Sequence, residues 1–503
     1  MPDVYANRVK AHVLDLAKSS AIYGVGSALQ KFILLLLLPI LTKYLSPGEF
    51  GALAMLAVLQ MMVQPVFGLG IGASMGICYF RQSNPQERLK VVWSSVLLMT
   101  ASAAALLAVG WFLASKITRW VLLPAEYSLA CAIALTASAL AIVAAPLAQQ
   151  VQFEKRARLF VVVSVSSATV TAILAILGVV LGRWGIMGVL IAQLGGQMLL
   201  LVAFLIPLCG RSRPYLCSNT IRKMLKQGLP LVPSFAFLFI LMNGNKYALQ
   251  WLQGETSVGV YSVGFNLGAA MALMIGAVST AWYPFFMSFS DRQSEAVLLF
   301  GRFTSFYILT GGTVTLLFFA LAKPVVFLLT QPSFYEAFTV VGFVALAYFF
   351  LGLFNFFLPQ LYFSQRVYIV TIIQAVAAIL SVPMALLLVG QFGILGAAVT
   401  LAISHAAMAA LLAIYVACSQ KVSLRVDYPV RQIALYFAEF VFFVAASTFF
   451  FQQVDSKQLS LLGSTLFAVL ALLTGYLALS PLERQSLRRH LVGIADYTRI
   501  AKV

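Results

Sequence analysis

The chain is 503 residues long, 62% hydrophobic and only 10% charged, a balance that no soluble globular class shows. Its apolar runs are too long and continuous for tilted barrel strands, which need about 9–11 alternating residues, so the sequence reads as an all-α, multi-pass membrane protein. The formal net charge of +18 invites a nucleic-acid reading, which the placement of the cations excludes below.

In chain order, VYANRVKAHVLDLAKSS (residues 4–20) reads as a short amphipathic helix lying on the inner surface. Fourteen hydrophobic spans follow, at 19–44, 51–79, 91–113, 121–148, 159–182, 184–208, 226–252, 257–288, 301–322, 337–363, 367–389, 392–418, 431–451 and 459–480. The first is too long for the apolar region of a cleavable leader. Connections are short, so no large extramembrane domain is expected. With the N-terminus inside, 25 of the 33 Lys and Arg residues fall on inner segments. Six fall outside (Lys43, Lys116, Arg119, Arg183, Lys323 and Lys457), and Lys31 and Lys246 fall within spans. That bias predicts both termini on the cytoplasmic side. It also explains the +18 as topology charge that touches anionic lipid heads, with no nucleic-acid partner.

The chain repeats itself. GRWGIMG (182–188) returns as GQFGILG (390–396), and Gly51 matches Gly259, both at an offset of 208; QVQFEKR (150–156) matches QLYFSQR (360–366) at 210. Two six-span lobes of the same orientation follow, spanning 1–215 and 216–420. Residues 421–503, with spans thirteen and fourteen and a cytoplasmic tail, stand outside them. Lobes related about the membrane normal are a transporter plan with the site at their interface.

Lys31 lies at the middle of a 24-residue apolar stretch, Ser19 to Thr42, where a charge costs roughly 2.5–3.5 kcal/mol. Of the fifteen acidic residues, only Glu439 falls within a span, the thirteenth. A central cavity with ammonium groups and no carboxylate favours an anion, and a phosphate suits a lysine point charge. Lys31 therefore reads as an anion-binding cation facing the central cavity, or as a lysine paired with an unseen carbonyl or acid. Lys246, near the outer end of its span, reads either as a second ligand or as a snorkelling lysine. Glu439 reads as an ion-coupling group or as a partner for a lysine or hydroxyl. His405 reads as a packing residue or a proton relay. Arg81 and Arg366, ending spans on the inner side, greet an incoming anion or serve topology alone.

Gly24, Gly26 and Pro39 interrupt the first span, and Pro230, Pro233 and Gly244 the seventh. Broken helices at corresponding positions line a site or bend during alternating access; close packing through small residues is the other reading. Gln30, Asn243, Asn245, Asn266, Trp282, Tyr283, Gln360 and Tyr362 offer amides and rings that suit sugars and, equally, hydrogen bonds between helices. The five cysteines form no CxxC pair and the three histidines do not cluster, so no disulfide, metal site or cofactor is expected.

The run YGVGSALQKFILLLLLPILTKYLSPGEFGALAML resembles the opening of Wzx-type polysaccharide flippases, of the multidrug/oligosaccharidyl-lipid/polysaccharide exporter superfamily. GETSVGVYSVGFNLGAAM resembles the start of their eighth span. The resemblance covers both lobes, on glycines and short phrases. It implies a two-lobed bundle around a cavity in the bacterial inner membrane. That bundle would pass an undecaprenyl-diphosphate-linked oligosaccharide from inner to outer leaflet by alternating access, coupled to H+ or Na+. A monomer working beside a polysaccharide polymerase is the implied arrangement. Lys31 matches a basic position of the opening motif. Where relatives carry an acid–base pair, this chain has Asn245–Lys246, so the acid of a cation site is missing there. The extra two spans resemble those of related lipid II flippases, where the added pair borders a lipid groove.

A cation or drug antiporter of the same superfamily is the close rival, disfavoured by the missing buried acids. A membrane polymerase or ligase using lipid-linked glycans is the rival from the enzymes; short outer loops without an acid–base cluster disfavour it. No GxxxxGK[ST] exists for an ATP-driven exporter.

Overall fold

The computed structural model describes residues 24–26, 28–289, 293–419, 426, 441–446, 450 and 462–470. The amphipathic N-terminal segment, Glu439, most of spans thirteen and fourteen, and both termini lie outside the described residues.

Among the described residues the structure is helical throughout, without a strand, as backbone that crosses hydrocarbon must be. We label the helices α1 Gly24–Tyr44, α2 Pro47–Phe80, α3 Pro85–Phe112, α4 Ala114–Trp120, α5 Ala125–Phe153, α6 Ala157–Leu181 and α7 Ile186–Cys209. After them come α8 Ser218–Gly228, α9 Val232–Gly268, α10 Met271–Met287, α11 Gln293–Leu329, α12 Phe338–Phe363 and α13 Tyr368–Cys418. Nine described helices are long and apolar enough to cross a membrane.

Local chemistry sets the helix starts. Ser46 caps α2: its hydroxyl accepts from the Glu49 N–H at 3.2 Å, its own N–H donates to Glu49 Oε2 at 2.9 Å, and Pro47 fills the first turn. Reciprocal capping of this kind satisfies two otherwise orphaned donors. Asn84 and Pro85 start α3 in a similar way. At the C-terminal end of α5, Glu154 pairs with Arg156 at 3.1 Å and with Arg211, beyond α7, at 2.7 Å.

The two copies of the repeated motif fold alike. Gly185 has φ 54 and ψ −133, and Gly393, at the matching position, has φ 57 and ψ −131. Lys155 and Gln365, matched at the offset of 210, are both left-handed, with φ 56 and 54. The offset falls from 210 to 208 across the π-helical turn Leu177–Leu181, whose wider ring takes up part of the first copy's surplus. The Gly51–Gly259 match is a physical contact. A Cβ on Gly51 would run into the Glu255 carbonyl, and one on Gly259 into the Pro47 carbonyl. Since 47 and 255 also differ by 208, the contact is reciprocal, as a two-fold relation requires.

Several expected boundaries move. Spans seven and eight meet at one non-helical residue, Gly254 (φ 79), inside α9, and spans eleven and twelve meet at Gly393 inside α13. Each joint is a glycine because a side chain is strained at such angles. Pro230 and Pro233 do not interrupt the seventh span. They sit in and just after the 3-10 turn Leu229–Leu231 that joins the surface helix α8 to α9, where a missing N–H costs nothing. Span nine runs on to Leu329, so Lys323 belongs to α11 and is buried rather than lying in an outer segment.

Replacing Gly185 or Gly393 with Ala should lower the melting temperature of the detergent-solubilised protein by the equivalent of about 1–3 kcal/mol. Gly390, with nothing within 4 Å of a notional Cβ, should accept Ala without loss. Equal melting of Gly393→Ala and Gly390→Ala would show that the joint tolerates a side chain.

Candidate functional site

The first helix is loosely held. Within α1, Val25, Leu29, Phe32, Leu34 and Leu36 are exposed, and the helical turn is interrupted at Leu36–Leu37. Pro39 explains the break, since it cannot donate to the carbonyl four residues back. The second part, Leu38–Tyr44, buries Leu38, Leu41 and Thr42. Gly26 is a packing glycine: a Cβ there would stand 2.5 Å from Val161 Cγ2 on α6. Gly24 has open space around it. Lys31 is exposed and half-buried Gln30 precedes it. At about 100° per residue, Lys31 lies about 140° around the helix from Gly26, so it points away from α6. No ion pair to Lys31 exists among the described residues.

Lys246 is 7% exposed, so it does not snorkel to the outer surface. Its ammonium lies 4.2 Å from the centroid of the Phe265 ring, and the ring's electron-rich face takes the place of a counter-ion. Asn245 beside it is a strut. Its amide donates to the Tyr261 hydroxyl and, at 3.0 Å, to the Ala397 carbonyl, joining both halves of α9 to α13. Asn266 is exposed. Gly244 has only Ile240 Cγ2 near, at 3.6 Å from a notional Cβ, so close helix packing does not account for it.

His405 is buried, with Nδ1 2.9 Å from the Leu401 carbonyl of its own helix. A carbonyl only accepts, so Nδ1 carries the proton, and the ring is tied to its own helix as a packing residue would be. Arg81 is exposed at the end of α2, and Arg366 is half-buried after α12. Trp282 anchors an aromatic cluster with Phe300 and Phe356, its Nε1 donating to the Asn355 carbonyl at 3.1 Å; Tyr283 packs edge-on against Tyr362. These rings mostly face one another. Asn243 donates within its own helix, to the Phe239 carbonyl.

Sequence reasoning missed Lys323. It is 5% exposed, over the rings of Phe327 and Phe338 at 5.8 and 5.2 Å. The signal was the apolar run PVVFLL directly after it, which carries the span past the lysine. The described carboxylates sit at helix ends or, for Glu255, at the Gly254 joint of α9: Glu49, Glu126, Glu255 and Glu336 at the end of the bundle read as outer, and Glu87 and Glu154 at the end read as inner. The interior of the described bundle thus holds lysines and no acid.

The fold is that of membrane transporters and flippases rather than of an enzyme. It is similar to the lipid II flippase MurJ in an inward closed conformation, with a TM-score of 0.71 at 12% identity, over 90% of this chain and 98% of that one. It is also similar to a mutant of the Vibrio cholerae MATE transporter VcmN (TM-score 0.58, 13% identity, 79% of this chain and 95% of that one). A third likeness is to a transporter of the same superfamily from Pyrococcus furiosus (TM-score 0.59, 14% identity, 80% and 94%). No curated protein matches in sequence. A family model described as polysaccharide biosynthesis protein matches residues 16–290, more than half of the chain, and the chain belongs to that family.

Asn245→Ala should cost about 1–3 kcal/mol of stability by orphaning buried groups. Combined with Tyr261→Phe it should cost less than the sum of the two single changes. Additive losses of melting temperature in the double variant would show that the two side chains do not act as a unit.

Proposed function

We propose that the protein is a lipid-linked oligosaccharide flippase. It moves undecaprenyl-diphosphate-linked glycan units from the inner to the outer leaflet by alternating access between the lobes 1–215 and 216–420, in a bacterial inner membrane with both termini cytoplasmic. Spans thirteen and fourteen, in 421–503, guide the polyprenyl tail. Ion coupling to H+ or Na+, a monomeric state and a neighbouring polymerase belong to the same reading.

The observation that carries it is electrostatic. Lysines occupy the described membrane interior while every described carboxylate stands at a helix end or, for Glu255, at the Gly254 joint of α9. A low-dielectric cavity of that kind attracts an anion and repels a cationic drug. Lys31, exposed and without an acid partner among the described residues, binds the diphosphate; a lysine turned to lipid would be costly at that depth. Lys246, held by a ring, adds positive potential. The reading draws support from family membership and from the likeness to a lipid II flippase.

Lys31→Ala should abolish flipping of an undecaprenyl-diphosphate-linked glycan in reconstituted vesicles while leaving the inserted amount unchanged, and Lys31→Arg should restore part of it. Wild-type flipping by Lys31→Ala would remove the diphosphate role. The orientation has its own check. Cys217 is free and partly exposed ahead of α8, and a hydrogen bond with the Thr220 side chain holds its thiol below the usual range. With Cys209 and Cys418 changed to Ser, a membrane-impermeant maleimide should label inverted vesicles and spare right-side-out ones. The opposite pattern would reverse the topology.

A further inference from the structure

A half-open cavity of about 180 Å³ lies between α2, α3 and α5. At roughly 30 Å³ per water it holds the equivalent of about six waters, room for one sugar ring. Gln64, Gly68 and Gly72 form one wall at successive turns of α2, and Ala141, Ala145 and Gln149 the facing wall on α5; Met99 of α3 also lines it. Gln149 is one turn from the inner end of α5, so the cavity sits in the half of the membrane read as inner.

Its polar chemistry is one-sided. Gln149 Nε2 donates to the Gly72 carbonyl at 3.1 Å, which fixes the amide. Gln149 Oε1 is buried and has no hydrogen-bond partner among the described residues. Pro146 has no N–H to give to the Ile142 carbonyl, and both residues line the same space. Gln149 Oε1 is thus left without the donor a buried acceptor requires. No acid or base lines the cavity. Exposed Gln64 and Gly72 mark its mouth; a glutamine amide facing hydrocarbon would be unsatisfied, so the mouth faces a watered path.

We propose that this cavity is a sugar subsite, in which one ring of the lipid-linked glycan donates a hydroxyl or acetamido N–H to Gln149 Oε1 and lays its apolar face on Ile71, Met99 and Pro146. This rests on the flippase reading and adds a glycan-recognition site separate from the lysines.

The test measures binding to the full-length protein in detergent by intrinsic tryptophan fluorescence, with two probes: undecaprenyl diphosphate, and undecaprenyl diphosphate carrying one N-acetylglucosamine. The wild type should bind the glycosylated lipid about tenfold more tightly. Gln149→Met should reduce that advantage to less than threefold and leave binding of the bare lipid unchanged. Pro146→Ala, which removes the ring from the cavity wall and preserves the helix, should reduce the advantage in part. A full advantage in both variants, or none in the wild type, overturns the subsite. So does a Gln149-dependent stabilisation by sodium chloride that choline chloride does not give, which would assign the acceptor to a monovalent cation. Failure of the flippase reading looks different: the wild type would then bind neither lipid, which overturns both proposals. Loss of the sugar advantage in Gln149→Met is compatible with either result for Lys31.

Discussion

The architecture depends on one contact, the meeting of α2 and α9 backbone to backbone at Gly51 and Gly259. Lipid tails are as apolar as leucine, so helices in a membrane gain little from hiding apolar side chains from one another. Close van der Waals approach is what remains, and glycine allows the closest. Here each glycine faces the other helix's carbonyl so tightly that no Cβ fits on either side. Because the two positions are copies of one another in the repeat, the contact lies on the relation that pairs the two halves. It sits beside the Ser46 cap at the end read as outer.

A second backbone contact stands toward the opposite end. Gly70 is left-handed, at the break in α2, and its notional Cβ would collide with the Gly228 carbonyl; a Cβ on Gly228 would in turn stand 2.5 Å from the Leu69 carbonyl oxygen. Here the first half meets the junction of α8 and α9. α2 therefore meets α9 and the α8–α9 junction through backbone at two levels. Backbone contacts carry no rotamers to reorder, so they separate or close as rigid surfaces. That suits rocking of one half against the other around a fixed site. The loosely packed α1, with its break before Pro39, is the element freest to follow such a movement.

Much of this is legible in the sequence. Composition alone sets the class of protein, and the repeat shows through its glycines because a positive φ or a backbone contact tolerates nothing else. Gly185, Gly393, Gly51 and Gly259 all stand out as matched residues without any knowledge of their geometry. What is not legible depends on tertiary neighbours. Lys246 and Lys323 are both buried over aromatic rings, but in the sequence one reads as a candidate to snorkel and the other as an outer charge. Hydropathy registers a lysine without registering the ring that holds it. Pro230 and Pro233 look like helix breaks, because proline at a helix start and within a helix are the same letter. Asn245 looks like part of a pair facing the cavity; its two partners, Tyr261 and Ala397, lie 16 and 152 residues away.

The charge pattern and the acceptor-lined cavity separate two tasks that a carrier of a lipid-linked glycan must perform. A diphosphate is common to every such substrate, and a flexible lysine recognises it without regard to the sugar. Discrimination needs fixed groups, because an unpaired buried acceptor penalises a ligand that lacks the matching donor more than it rewards one that has it. Gln149 is fixed by its bond to Gly72 and placed by a proline-bearing helix, whereas Lys31 stands exposed on α1, where Val25, Leu29, Phe32, Leu34 and Leu36 are exposed too. The mobile charge thus suits capture and the rigid amide suits selection. Rocking of the halves would carry both past the membrane centre together only if the sugar is seated on the same half as the lysine, and α1, α2 and α5 all belong to the first.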